Sequence, residues 1–293
     1  MSRLEVLKTY KLFVGGKFPR TESGRYYSPR DKKGKLLANV SLSSRKDFRE
    51  AVVAARGAFA SWSGRAAFNR GQLLYRIAEI LEGRKSQFIS ELVLMGSSPK
   101  AAETEVNLCI DRLVYYSGWC DKYQQLFSSV NPVASSHFNF SVPEPMGVVA
   151  AFADENSGLI GLVSLVASVI AGGNTIVVLA SESKPLTAIT FGEVLNTSDV
   201  PGGVVNILTG NKTELGEHFA SHMDVNALVI QGEDYKSIYA LKEIAAVNVK
   251  RVFSYAKNWM DEKEESPYYI MDLQEIKTTW HPIENIGGSG GSY

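Results

Sequence analysis

Residues 156–181, NSGLIGLVSLVASVIAGGNTIVVLAS, carry no charged side chain, and how this run is divided decides the fold. It is long enough for a membrane helix. However, AGGNT at 171–175 interrupts it with the glycine stop of a helix, and TIVVLA at 175–180 is β-branched in the manner of a buried strand. The run therefore reads as a core helix, a tight turn and a parallel strand. Working outward, the same alternation continues through GVVAAF (147–152), PLTAITFGEVLN (185–196), VVNILTG (204–210), KTELGEHFASH (212–222), NALVIQG (226–232), DYKSIYALKEIAA (234–246) and VKRVFSY (249–255). Strand and helix in strict alternation predict an α/β domain with a doubly wound, Rossmann-like parallel sheet over 148–256.

Upstream, KLFVGGKF (11–18) predicts a hairpin turning at Gly15-Gly16. Ser44 and Asp47 form a capping-box start to a helix, and a second helix is expected over 67–88, with Leu73, Leu74, Ile77, Ile80 and Leu81 facing the core. A long helix over 101–126 puts Val106, Cys109, Leu113, Tyr116, Cys120 and Tyr123 on one stripe. Residues 1–136 thus supply the N-terminal hairpin and helices. Within 137–147, a β-flap, Phe138, Phe140 and Val142 alternate until Pro143 and Pro145, which are expected to stop the pairing. Residues 257–267 read as an acidic, proline-ended linker. The segment 268–286 reads as a C-terminal strand with Ile276, Thr278 and Trp280 on one face and Lys277, Thr279 and His281 on the other; GGSGGSY (287–293) is a flexible tail.

Composition narrows the function classes. With 45% hydrophobic and 21% charged residues the chain is of globular type, and 31 basic residues balance 31 acidic ones, so no global field favours nucleic acid or anionic lipid. Two cysteines, Cys109 and Cys120, are too few for a disulfide framework, and both sit on the apolar stripe, so they read as core thiols. The start MSRLEVLKTYKLFVGG lacks a secretory pattern, and a cytoplasmic location is expected. His218 and His222 stand four apart without a third ligand or a zincin glutamate, so no metal site is expected.

In order and spacing, LVYYSGWCDKYQQ, PEPMGVVAAF, AGGNTIVVLASESKPLTA, DVPGGVVNILTG and HMDVNALVIQG resemble the nucleotide-binding part of the aldehyde dehydrogenase superfamily, from about Leu12 to about Val252. EIKTTWHPI (275–283) is similar to the family's C-terminal oligomerisation strand. The resemblance places a catalytic domain with the nucleophilic cysteine between Val252 and that strand, where this chain has only a short connection. Such a truncated copy looks most like the degenerate C-terminal module of the family-16 aldehyde dehydrogenases.

Residue by residue, the resemblance implies a site half kept. No cysteine follows Cys120, and the general-base glutamate falls on Tyr255, a poor base for water with a phenol pKa of about 10. Asn156 matches the asparagine that donates to the family's oxyanion; read without the family, it is a residue at a helix N-terminus. Glu155 stands where the family has tryptophan. Glu182, Gly210 and Gly232 match cofactor-binding positions, whereas the ribose-contacting lysine falls on Leu179 and the pyrophosphate-receiving serine on Glu233. In LVIQGEDYK (228–236) a strand ending in glycine is thus followed by two acids. A carboxylate about 4 Å from a phosphate charge costs on the order of 4 kcal/mol at an effective dielectric near 20. No cofactor is therefore expected, with NAD a weak alternative. The expectation is a non-catalytic module of the aldehyde dehydrogenase fold, acting in assembly as a homodimer, or paired with another dehydrogenase-like chain, through the edge strands 137–142 and 275–283. Three alternatives stand beside it: the two strands pair with each other, the chain oxidises aldehydes with help from a partner module, or it senses nucleotides.

Overall fold

The computed structural model describes residues 6–31, 33–232 and 234–283. Short strands β1 (Thr9–Tyr10), β2 (Tyr26–Tyr27) and β3 (Asn39–Ser41) precede five helices: α1 (Arg45–Ser63), α2 (Ala67–Gly83), α3 (Lys85–Leu94), α4 (Pro99–Trp119) and α5 (Tyr123–Phe127). Strands β4 (Ser129–Asn131) and β5 (His137–Pro145) follow. Next comes the alternating core: β6 (Val148–Phe152), α6 (Ile160–Ala171), β7 (Thr175–Leu179), α7 (Leu186–Thr197), β8 (Val205–Leu208), α8 (Lys212–Ser221), β9 (Ala227–Gln231), α9 (Tyr235–Ala245) and β10 (Arg251–Tyr255). The chain closes with α10 (Tyr268–Met271) and β11 (Gln274–Pro282).

The core sheet has five parallel strands in the order β10-β9-β6-β7-β8. Its strands feed two cores by simple alternation. Val149 and Ala151 of β6 face α2, α4, α6 and α7, whereas Val148, Ala150 and Phe152 face α1, α8 and α9. On the second face Phe48 stacks on Phe219 at 4.0 Å and Phe219 on Phe152 at 4.8 Å. The charge-free run forms α6 and β7, and no helix among the described residues is long and apolar enough to cross a membrane.

Every residue of α6 is buried, so its orphan backbone groups need partners from elsewhere. At the N-terminal end the Glu105 carboxylate accepts the N–H groups of Gly158, Leu159 and Ile160 at 2.8, 2.6 and 3.1 Å. At the other end, side chains of Trp62, Arg70, Tyr123 and Gln274 donate to the carbonyls of Ile170, Ala171 and Gly172.

Several expected boundaries move. The helix expected over 67–88 breaks at Arg84 into α2 and α3, and the one over 101–126 breaks after Trp119. The stripe itself holds: Val106, Cys109, Leu113, Tyr116, Cys120 and Tyr123 are all buried. Pro143 and Pro145 do not stop β5, which pairs with β11 through both. The reason is that β4 pairs only with Asn139–Ser141, so the prolines have a neighbour on one side alone and their missing N–H is not needed. Tyr268–Met271 is a helical turn where an alternating strand was expected. The tail 287–293 lies outside the described residues.

Candidate functional site

Strands β7 and β8 continue from β6 in one direction, while β9 and β10 lie on its other side, so the strand order reverses between β6 and β9. Beyond the carboxyl ends of strands at such a point, an open α/β sheet has its natural crevice. Here Gln231, at the end of β9, fills it. Its Oε1 accepts the Asp154 N–H at 2.6 Å and its Nε2 donates to the Gly161 carbonyl at 3.2 Å. Gly161 permits this approach, since a Cβ there would lie 2.8 Å from Asp154 Cβ and 3.0 Å from Gln231 Oε1.

Next to the crevice is a cavity of about 320 Å³ lined by Asp154, Asn156, Ser157 and residues 256–260. Asn156 is exposed, and its Nδ2 donates to Asp154 Oδ1 at 3.1 Å. It does not start α6: that end is held by Glu105 and by Ser157, whose Oγ accepts the Gly161 N–H. Neither cysteine lines this cavity, and both are buried in α4 and its C-cap. Burial pushes the Cys109 thiol well above its ordinary value and the Cys120 thiol up to about 12. Tyr255 ends β10 with its hydroxyl donating to Asp272 Oδ2 at 2.6 Å. Burial first, then the Asp272 carboxylate, raises the phenol far beyond its ordinary value, so the phenolate that could take a proton from water is even less populated at neutral pH.

The segment read as an acidic, proline-ended linker is docked on the body. Trp259 is 3% exposed and sits against Tyr255 and Tyr269. Arg112, itself 1% exposed, donates to the carbonyls of Glu264 and Asp261, and Tyr116 Oη donates to the Ser266 carbonyl at 3.2 Å. Nothing in the sequence marked Arg112 except that it is a cation beside the apolar stripe of α4.

On the nucleotide side, the Glu182 carboxylate accepts from Asn211 Nδ2, with both oxygens at 3.0 Å, and Asn211 Oδ1 caps α8 through the Glu214 N–H. Glu155 holds the loop after β7, accepting from Ser181 Oγ at 2.7 Å and the Glu182 N–H at 2.9 Å. Leu179 is buried in the core. Gly210 is buried beside Ser43, and Gly232 has φ of +128° with open space where a Cβ would be, so backbone conformation alone favours glycine there. Glu233 lies outside the described residues. Sequence reasoning missed Lys212, which had been assigned only to a helix. Its ammonium stands 5.2 Å from the Phe152 ring centroid and lines a cavity of about 320 Å³ between α8 and α9, with Asp234 and Ser237 opposite. Burial lowers its pKa, against the pull of Glu155 and Asp234. Among the described residues, no three acids, histidines or cysteines gather as a metal site.

The fold has counterparts in known proteins. Residues 19–254 match the model of the aldehyde dehydrogenase family. The chain belongs to that family. The cytosolic 10-formyltetrahydrofolate dehydrogenase of Mus musculus is 32% identical over 260 residues, which is 86% of this chain and 29% of that protein. The putative aldehyde dehydrogenase DhaS of Bacillus subtilis is 31% identical over 252 residues, 83% of this chain and 50% of that one. Among solved structures, the NAD+ complex of the Bacillus cereus aldehyde dehydrogenase superposes with a TM-score of 0.79 at 25% identity, covering 84% of this chain and 50% of its own. A NAD-dependent aldehyde dehydrogenase from Sinorhizobium meliloti gives the same TM-score at 26% identity and the same coverage. The chain thus spans half or less of the length of these aldehyde dehydrogenase relatives.

Proposed function

We propose that this chain is a non-catalytic module of the aldehyde dehydrogenase fold that works in assembly, similar to the degenerate C-terminal module of the family-16 enzymes. One observation carries the reading: the cavity beside Asn156 is lined by Asp154, Ser157 and the docked segment 256–260, with no thiol to attack a carbonyl carbon. Tyr255, at the position of the water-activating base, is occupied as a hydrogen-bond donor to Asp272.

The assembly half of the reading rests on the flap. Strands β5 and β11 pair with each other from His137–Pro282 to Pro145–Gln274, so the strand that each was expected to lend to a partner is spent within the chain. What remains is the outer edge of β11, unpaired among the described residues, with Ile276 and Trp280 more than half exposed on one face and Phe138 and Val130 exposed on the other. A long exposed edge with apolar flanks is a template for strand addition by a second copy or by another dehydrogenase-like chain. Size exclusion with light scattering tests this: a dimer is expected, and it should dissociate when Ile276→Lys and Trp280→Lys are combined. A monomer at every concentration would remove the assembly claim.

A second reading is favoured by Lys212 and the cavity between α8 and α9, which together suit a nucleotide held without turnover. NAD fits this chain in part: a cation stands at the cavity, but the lysine position is Leu179 and the Glu182 carboxylate is tied to Asn211. The decisive assay supplies NAD and a panel of aldehydes to the purified protein. No NADH is expected, and turnover that survives replacement of Cys109 and Cys120 would overturn the non-catalytic reading.

A further inference from the structure

The histidine pair of α8 that makes no metal site has other company. His218, Ser221 and His222 face Arg45, Lys46, Phe48 and Arg49 of α1 across a cleft of about 370 Å³. That volume lies in the range of small-molecule sites, roughly 300–1,000 Å³. Three cations and two imidazoles converge on it in a chain whose formal charge is zero, and none of the described residues that line it is acidic.

The placement of these cations works against the helix that carries them. Arg45 and Lys46 occupy the first turn of α1, where the positive end of the helix dipole repels cations. Some of this charge is answered nearby: Lys46 pairs with Glu22 at 3.0 Å, and Arg49 approaches Glu50 at 3.9 Å. The Arg45 guanidinium has no ion pair or hydrogen bond among the described residues. Arg45 and Arg49 are one helical turn apart, so both guanidinium forks are presented on the same face.

The opposite wall is fixed in position. The Asp224 N–H donates to His222 Nδ1 at 3.2 Å, which leaves the ring proton of the neutral imidazole on Nε2 as a donor. The ring stands edge-on to Phe48 at 5.6 Å, and Phe48 in turn lies flat on Phe219. Behind it, Lys250 Nζ donates to the His222 carbonyl at 2.8 Å and holds the end of α8. Burial, with Lys250 and Arg49 nearby and Asp224 opposing, keeps the His222 pKa below its ordinary value.

We infer that the cleft between α1 and α8 binds the phosphate groups of a small phosphorylated molecule, with Arg45 and Arg49 as paired forks and His218, His222 and Ser221 completing the contacts. Guanidinium forks match phosphate oxygens in a bidentate manner, which a solvated surface charge does not require. Among the described residues lining the cleft, Phe48 is the one phenyl or indole ring, and it is fully buried, so no broad stacking platform for a nucleic acid strand is presented there. The inference stands apart from the assembly reading, since it uses neither the flap nor the crevice.

Calorimetric titration with sodium pyrophosphate at constant ionic strength is the test. Saturable one-site binding is expected. The double variant Arg45→Ala/Arg49→Ala should bind at least tenfold more weakly, while Lys100→Ala, at an exposed cation of α4 outside this cleft, should stay within twofold of the parent. Both arginines are exposed, so the double variant should keep its circular dichroism and melting temperature, and those are checked first. ADP titrated into the Lys212→Ala background separates the sources: tighter binding than pyrophosphate supports a nucleotide held at this cleft, and equal binding supports recognition of the phosphate groups alone. Absence of saturable pyrophosphate binding, parental affinity in the double variant, or loss of binding in Lys100→Ala would each overturn the inference.

Discussion

Asp47 shows how much one side chain of the N-terminal region controls. Its carboxylate accepts from Thr21 Oγ1 at 2.6 Å, the Glu22 N–H at 2.9 Å and the Ser44 N–H at 2.7 Å, tying the α1 start to the loop before it. Burial alone would raise its pKa, but these donors outweigh burial and hold it below the ordinary 3.8. A lowered folded value means that the stabilisation is complete above the unfolded pKa and is lost as pH falls through the folded one. Asp47→Ala should therefore cost about 1–2 kcal/mol at neutral pH, and the cost should shrink below about pH 4, as read by denaturant titration at both pH values. The two thiols give a second prediction at this scale. Because Cys109 and Cys120 are buried with raised pKa, a thiol reagent should label the native protein only at the rate of unfolding and the denatured protein at once. Fast labelling of either in the native state would contradict their placement in the core.

At the scale of elements, the segment 256–267 is fastened to the body by side-chain contacts. Trp259 is its buried anchor and Arg112 its clamp. Trp259→Ala should destabilise the fold by about 3–5 kcal/mol, the range for deleting a large buried aromatic. Arg112→Met should cost on the order of 3 kcal/mol, because the carbonyls of Asp261 and Glu264 lose a charged donor. Thermal or urea unfolding of the two variants checks both values. If either is as stable as the parent, the segment is not fastened as described. The same scale explains why α6 is a helix in the middle of the molecule: its capping comes from α2, α4 and β11 and from Trp62, all distant in sequence.

Across the whole molecule, stability should be uneven. The central strands β6, β7 and β9 are buried along their whole length, whereas β11 is exposed over eight of its nine residues. Amide hydrogen exchange should therefore be slowest in β6, β7, β9 and α6 and fastest in β4 and β11. The flap is joined to the core mainly at its base, through Asn174 Nδ2 to the Leu273 carbonyl and Gln274 Nε2 to Gly172. If β11 instead exchanges as slowly as β7 in dilute protein, a partner already covers its outer edge, and the light-scattering mass should show that partner.

The sequence by itself determined the fold class, since alternating apolar strands and periodic helices depend only on local side-chain spacing. It also determined the Ser44–Asp47 cap and the core position of both cysteines, which follow from positions three or four apart on one helix. Only the tertiary structure decided what lies more than a few residues apart. It paired β5 with β11, set Glu105 on the end of α6, gave Tyr255 its Asp272 partner, placed Lys212 over Phe152 and brought Arg45 opposite His222. These contacts form across chain separations that no periodic pattern encodes, and they arise only once the sheet has fixed where each helix end must stand.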